Sequence, residues 1–226
     1  MNDASVRFIP TRLSERANRG LHEALLGELP PGLGSGEAIL DVGCGTGAWL
    51  ARLHARGFTN LTGLDHDTAQ WSFHDGRVVR GDLNAGRWHG LQGPFALISA
   101  IEVVEHIENI GAFFDNLAAL LAPNGVILLT TPNVESLAAR FRFLLLCQLK
   151  QFDSIGDPTH LFPMLSATLP RLLERRGLRI TRRWGFPAGG VTVSSRRWVN
   201  VACAMARPFL PEDVPGDNFC MTIERA

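Results

Sequence analysis

The chain has 226 residues, enough for one well-buried core with elaborations, and its 22 basic side chains balance 22 acidic ones. That balance leaves no global field to draw it to nucleic acid or to an anionic membrane. Its four scattered cysteines (Cys44, Cys147, Cys203, Cys220) form no Cys-x-x-Cys pair and suit reduced thiols, and no apolar run nears the roughly 20 residues that cross a bilayer.

The N-terminus, with Asp3 and Glu15 and no apolar segment, does not read as a secretory signal, so a cytoplasmic protein is expected. Residues 1–36 read as an N-terminal helical arm of a single domain spanning 1–226. Its clear helix is Leu21–Leu29, stopped by Pro30-Pro31-Gly32, while Met1–Arg19 reads either as a loose arm or as a helix over a ligand. The core, 37–185, alternates. Strand Ala38–Val42 and helix Ala48–Arg56 are followed by strands Leu61–Leu64, Arg77–Arg80 and Phe95–Ala100. Helix Phe113–Leu121, strand Val126–Thr131, helix Ala167–Arg176 and strand Leu178–Trp184 complete it. A Gly/Pro-punctuated insertion, 186–216, precedes a last strand in 217–226. Such alternation predicts an α/β fold, with a mostly parallel sheet covered by helices on both faces. Ligands of such sheets bind outside the carboxyl ends of the strands, and Asp41, Asp65, Asp82 and Glu102 fall at or just after those ends.

Around Asp41, a buried strand runs straight into Gly43, Gly45 and Gly47 and then into a helix. Glycines there permit positive φ and let a ligand lie on bare backbone, and the helix N-terminus favours polar or anionic groups. Gly43-x-Gly45-x-x-Ala48 also satisfies a relaxed dinucleotide fingerprint, which keeps an NAD(H)-dependent oxidoreductase as a minor alternative.

The wider pattern, Leu40-Asp-Val-Gly-Cys-Gly-Thr-Gly47 with Gly63-Leu-Asp65, Arg80-Gly-Asp82 and Leu121–Leu128, resembles class I S-adenosylmethionine-dependent methyltransferases from about Glu37 to Leu178. The resemblance implies a Rossmann-like, doubly wound, seven-stranded sheet with an antiparallel C-terminal strand. It implies that the loop Gly43-Cys44-Gly45 to Gly47 passes under the methionine part of the cofactor, with Asp41 near its ammonium. Asp65, with His66 beside it, would accept the ribose hydroxyls, since a carboxylate offers two acceptor oxygens to two neighbouring donors. Asp82 would take the adenine amino group, Leu83 would lie by the ring, and Ala100 or Ile101 would face the sulfonium.

In Ser99–Ile107, Glu102, Glu105 and His106 are spaced i, i+3, i+4, which on a helix puts all three on one face. Such a group must repel, share protons or hold a cation. Mg prefers oxygen ligands, whereas Zn, Mn or Fe accept imidazole. Together with His160 in Asp157–Phe162, the pattern resembles the divalent-metal site of small-RNA 2′-O-methyltransferases and of ubiquinone-synthesis O-methyltransferases. By that resemblance Glu102, Glu105, His106 and His160 are the metal ligands and Glu102, His106 and His160 the catalytic set. The residues also leave metal-free readings open: a general acid or base at His106 or His160, and Glu102 closing the cofactor pocket.

Phe141–Leu149, Trp198–Ala206 and Pro208–Leu210 are unusually apolar. They are read first as core or as a homodimer surface, and second as a lid over a hydrophobic acceptor or a peripheral membrane contact, with Arg196-Arg197 near headgroups. Neutral charge and the lack of a basic stripe speak against a nucleic-acid partner. The expectation is methyl transfer to a small molecule, at oxygen; the alternative is an inert cofactor-binding subunit.

Overall fold

The computed structural model describes residues 13–188, 197–209 and 211–226. The first 12 residues of the arm and, in the insertion, residues 189–196 (Arg196 among them) and Leu210 lie outside the described residues.

Seven strands form one sheet. In chain order they are β1 (Ile39–Val42), β2 (Leu61–Asp65), β3 (Arg77–Arg80), β4 (Phe95–Ile101), β5 (Leu121–Pro132), β6 (Leu178–Phe186) and β7 (Asn218–Arg225), and across the sheet they run β3-β2-β1-β4-β5-β7-β6. The first five pair in parallel, and β7 lies antiparallel between β5 and β6. Every residue of β1 and β2 is buried, Asp41, Thr62 and Asp65 included, as strands of a sheet covered on both faces must be. The expected doubly wound sheet with its antiparallel last strand is what the chain builds.

Helices α1 (Leu21–Leu26), α2 (Ala48–Ala55), α3 (Ile110–Leu120), α4 (Leu137–Leu146), α5 (Leu169–Glu174) and α6 (Arg197–Ala206) complete the fold. One core cluster centres on Phe113, Phe114 and Leu117 of α3 against β4 and β5; the other packs Leu21 and Leu25 of α1 and Trp49, Leu50 and Leu53 of α2 against the opposite face. Sealing both faces with fully buried Leu and Phe contributes roughly 1.5–3 kcal/mol per side chain. Register then positions the site. Val42 pairs with Leu64 and with Ala100, so β1, β2 and β4 end level and their following loops share one rim.

Three expectations are corrected. The arm's helix is only Leu21–Leu26, and residues 13–20 are irregular. The apolar run from Phe141 is not core: Phe141, Phe143, Leu144, Leu145 and Leu146 of α4 are exposed. Glu102 to His106 is not one helix. β4 ends at Ile101, Glu102 adopts a left-handed φ of 56°, and a single 3-10 turn covers Val104–His106.

Candidate active site

At the β1 rim, Gly43, Gly45 and Gly47 all take positive φ (73°, 50° and 85°). Their surroundings differ. A Cβ on Gly43 would strike Val103 Cγ2 at 2.4 Å and one on Gly47 would strike Phe73 Cβ at 2.6 Å, whereas one on Gly45 would meet nothing within 4 Å. Gly43 and Gly47 are therefore packing positions, and Gly45 is the point where backbone faces open space. Cys44 seals the loop onto β2, its Sγ lying 2.5 Å from where a Cβ on Gly63 would stand. Burial raises the Cys44 thiol far above its ordinary value, so it stays protonated.

Asp41 sits beneath the loop, 3% exposed, with Oδ1 accepting the Ser99 hydroxyl at 2.6 Å. Burial pushes its pKa up to about 7, with the charge of Asp65 adding to the rise and the Ser99 bond opposing it. Asp65 uses both oxygens on backbone. Oδ2 accepts the Gly45 N–H at 2.8 Å and Oδ1 the Asp67 N–H at 2.9 Å, with His66 Nδ1 3.0 Å from Oδ1. The carboxylate thereby pins the glycine loop to the end of β2.

A cavity of about 550 Å³, its open mouth included, lies over this loop. Of the residues singled out in the sequence, Asp41, Gly43, Cys44, Gly45 and Ile101 line it. Asp65, His66, Asp82, Leu83, Ala100 and Gly47 stand outside that lining. Ala100 is fully buried, so Ile101 is the one of that pair at the cavity; Leu83 packs in the core beside Trp88, and Asp82 Oδ1 accepts the Asn84 N–H at 2.9 Å.

The cavity has a wall for which the sequence named no residues. Ser14, Glu15, Arg16, Ala17 and His22 come from the arm, with Thr46, Trp49 and Gln70 from the core. The Thr46 hydroxyl donates to Ser14 O at 2.9 Å, Arg52 of α2 pairs with Glu15, and Asn18 Nδ2 donates to Asn218 Oδ1 at 2.6 Å. His22 is buried, with its Nδ1 lacking a hydrogen bond; burial lowers its pKa to about 4 against the pull of Glu15. No local motif carries the arm's placement, because every tie is long-range. A floor of bare backbone at Gly45, a buried carboxylate and a polar arm suit a ligand carrying both an ammonium and polar groups, as S-adenosylmethionine does.

A second cluster lies beyond Ile101. One ligand atom each from Glu105, His106 and His160 falls within 4.8 Å of the others. Glu105 is fully buried; no donor reaches either carboxylate oxygen in hydrogen-bond geometry, although the Thr131 hydroxyl lies near enough to oppose the rise in its pKa. Burial and then the nearby Glu102 charge raise its pKa well above the carboxylate range. His106 Nδ1 lies 3.1 Å from Thr159 O, and His160 Nδ1 lies 2.9 Å from Gln151 O. The Thr159 hydroxyl, 2.9 Å from His106 Nδ1, gives its own proton to Asp157 Oδ1, so it and the two carbonyls are acceptors; each Nδ1 carries the proton and each Nε2 keeps its lone pair. That leaves Nε2 as the nitrogen of each ring free to ligate a metal, with Nδ1 making the kind of outer bond that metal-ligating histidines make. The rings meet edge to face with centroids 4.8 Å apart. Glu102 points elsewhere. Its Oε1 accepts the Thr130 hydroxyl at 2.8 Å, and burial, opposed by Thr130 and Asn218, raises its pKa to about 7. The structure thus gathers three of the four expected ligands and ties Glu102 to Thr130 instead.

Residues 11–182 match the family described as a methyltransferase domain. The chain is 27% identical over 157 residues to a ubiquinone biosynthesis O-methyltransferase of Rickettsia typhi, a match covering 62% of each. It therefore spans about six-tenths of that relative's length. Among solved structures, an S-adenosylmethionine-dependent methyltransferase from Archaeoglobus fulgidus superposes with a TM-score of 0.65 at 20% identity, covering 93% of this chain and 96% of that one. Another from Mesorhizobium loti gives 0.59 at 21% identity, covering 91% and 99%.

Proposed function

The chain belongs to the methyltransferase-domain family, and from that premise we propose that it is an S-adenosylmethionine-dependent methyltransferase that methylates an oxygen of a small-molecule acceptor with the help of a divalent metal. The observation that carries the finer reading is the convergence of Glu105, His106 and His160, with an unpartnered buried carboxylate and two imidazoles held in the ligating tautomer. Leaving Glu105 buried without a partner is costly in an apolar interior, and a cation offsets that cost.

The sulfonium cofactor supplies an electrophilic methyl group, and Asp41 and the Gly43–Gly47 loop would hold its amino-acid end, which brings Ile101 toward the reacting side. A metal held by Glu105, His106 and His160 would bind acceptor oxygens and lower a hydroxyl pKa. The donor set of one carboxylate and two imidazoles suits Zn, Mn or Fe better than Mg. Transfer is an in-line displacement, so what the chain contributes is alignment and removal of one proton. Glu102, tied to Thr130 and adjoining Asn218, positions the turn that carries Glu105 and His106. The R. typhi relative, an O-methyltransferase by name, supports an oxygen acceptor.

The test is metal analysis of the purified protein, with turnover on a panel of catechols and related diols before and after chelation. Loss of turnover in chelator and its return with one added metal are expected, together with retained S-adenosylhomocysteine binding by His106→Ala and His160→Ala. Full activity in chelator would end the metal reading. Tight cofactor binding without transfer to any acceptor would favour the inert-subunit alternative.

A further inference from the structure

Helices α4 and α6 pack beside each other and present one apolar surface. On α4, Leu144 and Leu145 are 74% and 75% exposed, with Phe141, Phe143 and Leu146 also open to solvent. On the α6 side, Trp198, Val201 and Met205 are exposed, and Phe209 beyond it is 87% exposed. Large side chains clustered at such exposure mark a surface that is covered in use.

Charge identifies the cover. Although the chain as a whole is neutral, residues 136–150 and 197–209 contain no acid and contain Arg140, Arg142, Lys150, Arg197 and Arg207. Arg142 is neutralised by Asp153 and Lys150 by Asp217, and Arg140, Arg197 and Arg207 are exposed. A two-fold contact between copies is self-complementary, and these segments hold no acid that could pair with a second copy's arginines. The apolar side chains need an apolar phase, and the arginines need anions at its edge. α4, ten residues long, rises only about 15 Å and is too short to cross a bilayer; it and α6, with large apolar side chains exposed on their shared surface, are placed to lie in its interface. No helix among the described residues is long and apolar enough to cross a membrane.

We propose that the α4–α6 face docks the protein peripherally on an anionic lipid bilayer, with Leu144, Leu145, Trp198 and Phe209 in the acyl boundary and Arg140, Arg197 and Arg207 at the phosphates. The inference stands apart from the acceptor and metal proposed above. Its bearing on them is geographical: Arg142 ties α4 to Asp153, and exposed Leu161 and Phe162 follow His160 directly, so the face borders the second cluster.

The test is co-sedimentation of the full chain with vesicles of phosphatidylcholine alone or of phosphatidylcholine with phosphatidylglycerol. Binding is expected to the mixed vesicles only, weakening with salt. Leu144→Glu with Leu145→Glu should lower it by about a hundredfold or more, about what two leucines' burial is worth. Arg197→Gln and Arg207→Gln should each lower it by about fivefold. An unchanged thermal shift with S-adenosylhomocysteine shows that the variants are folded. Equal binding to neutral vesicles would overturn the role of the arginines. No binding to either vesicle, or a dimer in light scattering that Leu144→Glu dissolves, would overturn the membrane and assign the face to a second copy.

Discussion

A carboxylate at the end of β1 is legible in the sequence because strand periodicity sets its place and the glycines after it set its neighbour. What the sequence does not carry is its protonation. Burial holds the Asp41 pKa at about 7, against 3.8 in an open chain. Above that value the fold bears a buried charge that only a cation relieves, and the cofactor's ammonium is such a cation. Affinity for S-adenosylhomocysteine should therefore rise with pH up to about 7, approaching tenfold per unit below it, and level off above. Asp41→Asn should flatten that profile and weaken binding while raising the melting temperature at pH 8, the usual exchange of stability for function at a site. Titration calorimetry across pH 5.5 to 8.5 measures it. Asp65 shows the limit of reading by spacing. Its place at the end of β2 was legible, but its bonds to the Gly45 and Asp67 N–H groups are tertiary facts and make it a support of the loop.

The glycine loop as an element was legible in full, yet its three glycines do unequal work. Gly47→Ala puts a methyl group against Phe73 Cβ at 2.6 Å in a left-handed backbone, so it should cost both the strain of about 1–2 kcal/mol and a repacking of Phe73. Gly45→Ala pays the strain alone and points its methyl into the cavity. Urea denaturation should show Gly47→Ala to be the less stable. Gly45→Ala should lose more cofactor affinity relative to its loss of stability. Equal stability losses with equal affinity losses would contradict this division. The Glu102–His106 element was legible only conditionally, for a definite reason: spacing of i, i+3, i+4 speaks only if the helix exists. The chain leaves β4 through a left-handed Glu102 into a 3-10 turn, which sends Glu102 to Thr130 and turns Glu105 and His106 toward His160. His160 joins them because Leu161 N–H donates to Glu105 O at 2.8 Å, a contact 56 residues apart in sequence (161 minus 105) that no local pattern signals.

At the scale of the molecule, the arm closes over the loop, and two buried groups of opposite behaviour meet across the same cavity. Burial holds the His22 pKa at about 4, against 6.5 unfolded. Between those values the unfolded chain takes up a proton that the fold refuses, so stability from this group is lost as pH falls from 6.5 to 4, by about 3 kcal/mol in full. Asp41 does the reverse. Its folded pKa of about 7 lies above the unfolded 3.8, so the fold takes up a proton first, and a penalty present above pH 7 is relieved on acidification through nearly the same window. The two slopes oppose each other. His22→Gln should therefore gain stability relative to the wild type as pH falls from 6.5 to 4, and Asp41→Asn should lose, over the same range, most of the advantage it holds at pH 8. Denaturation midpoints across that range separate the two, and the double variant should show the sum of the single effects if the groups act independently across the cavity. The His22 slope exists only while Ser14–Ala17 and α1 keep its ring out of water. A His22→Gln variant whose pH profile matches the wild type would mean that the arm does not lie over the loop in solution, and that the cofactor cavity is an open groove.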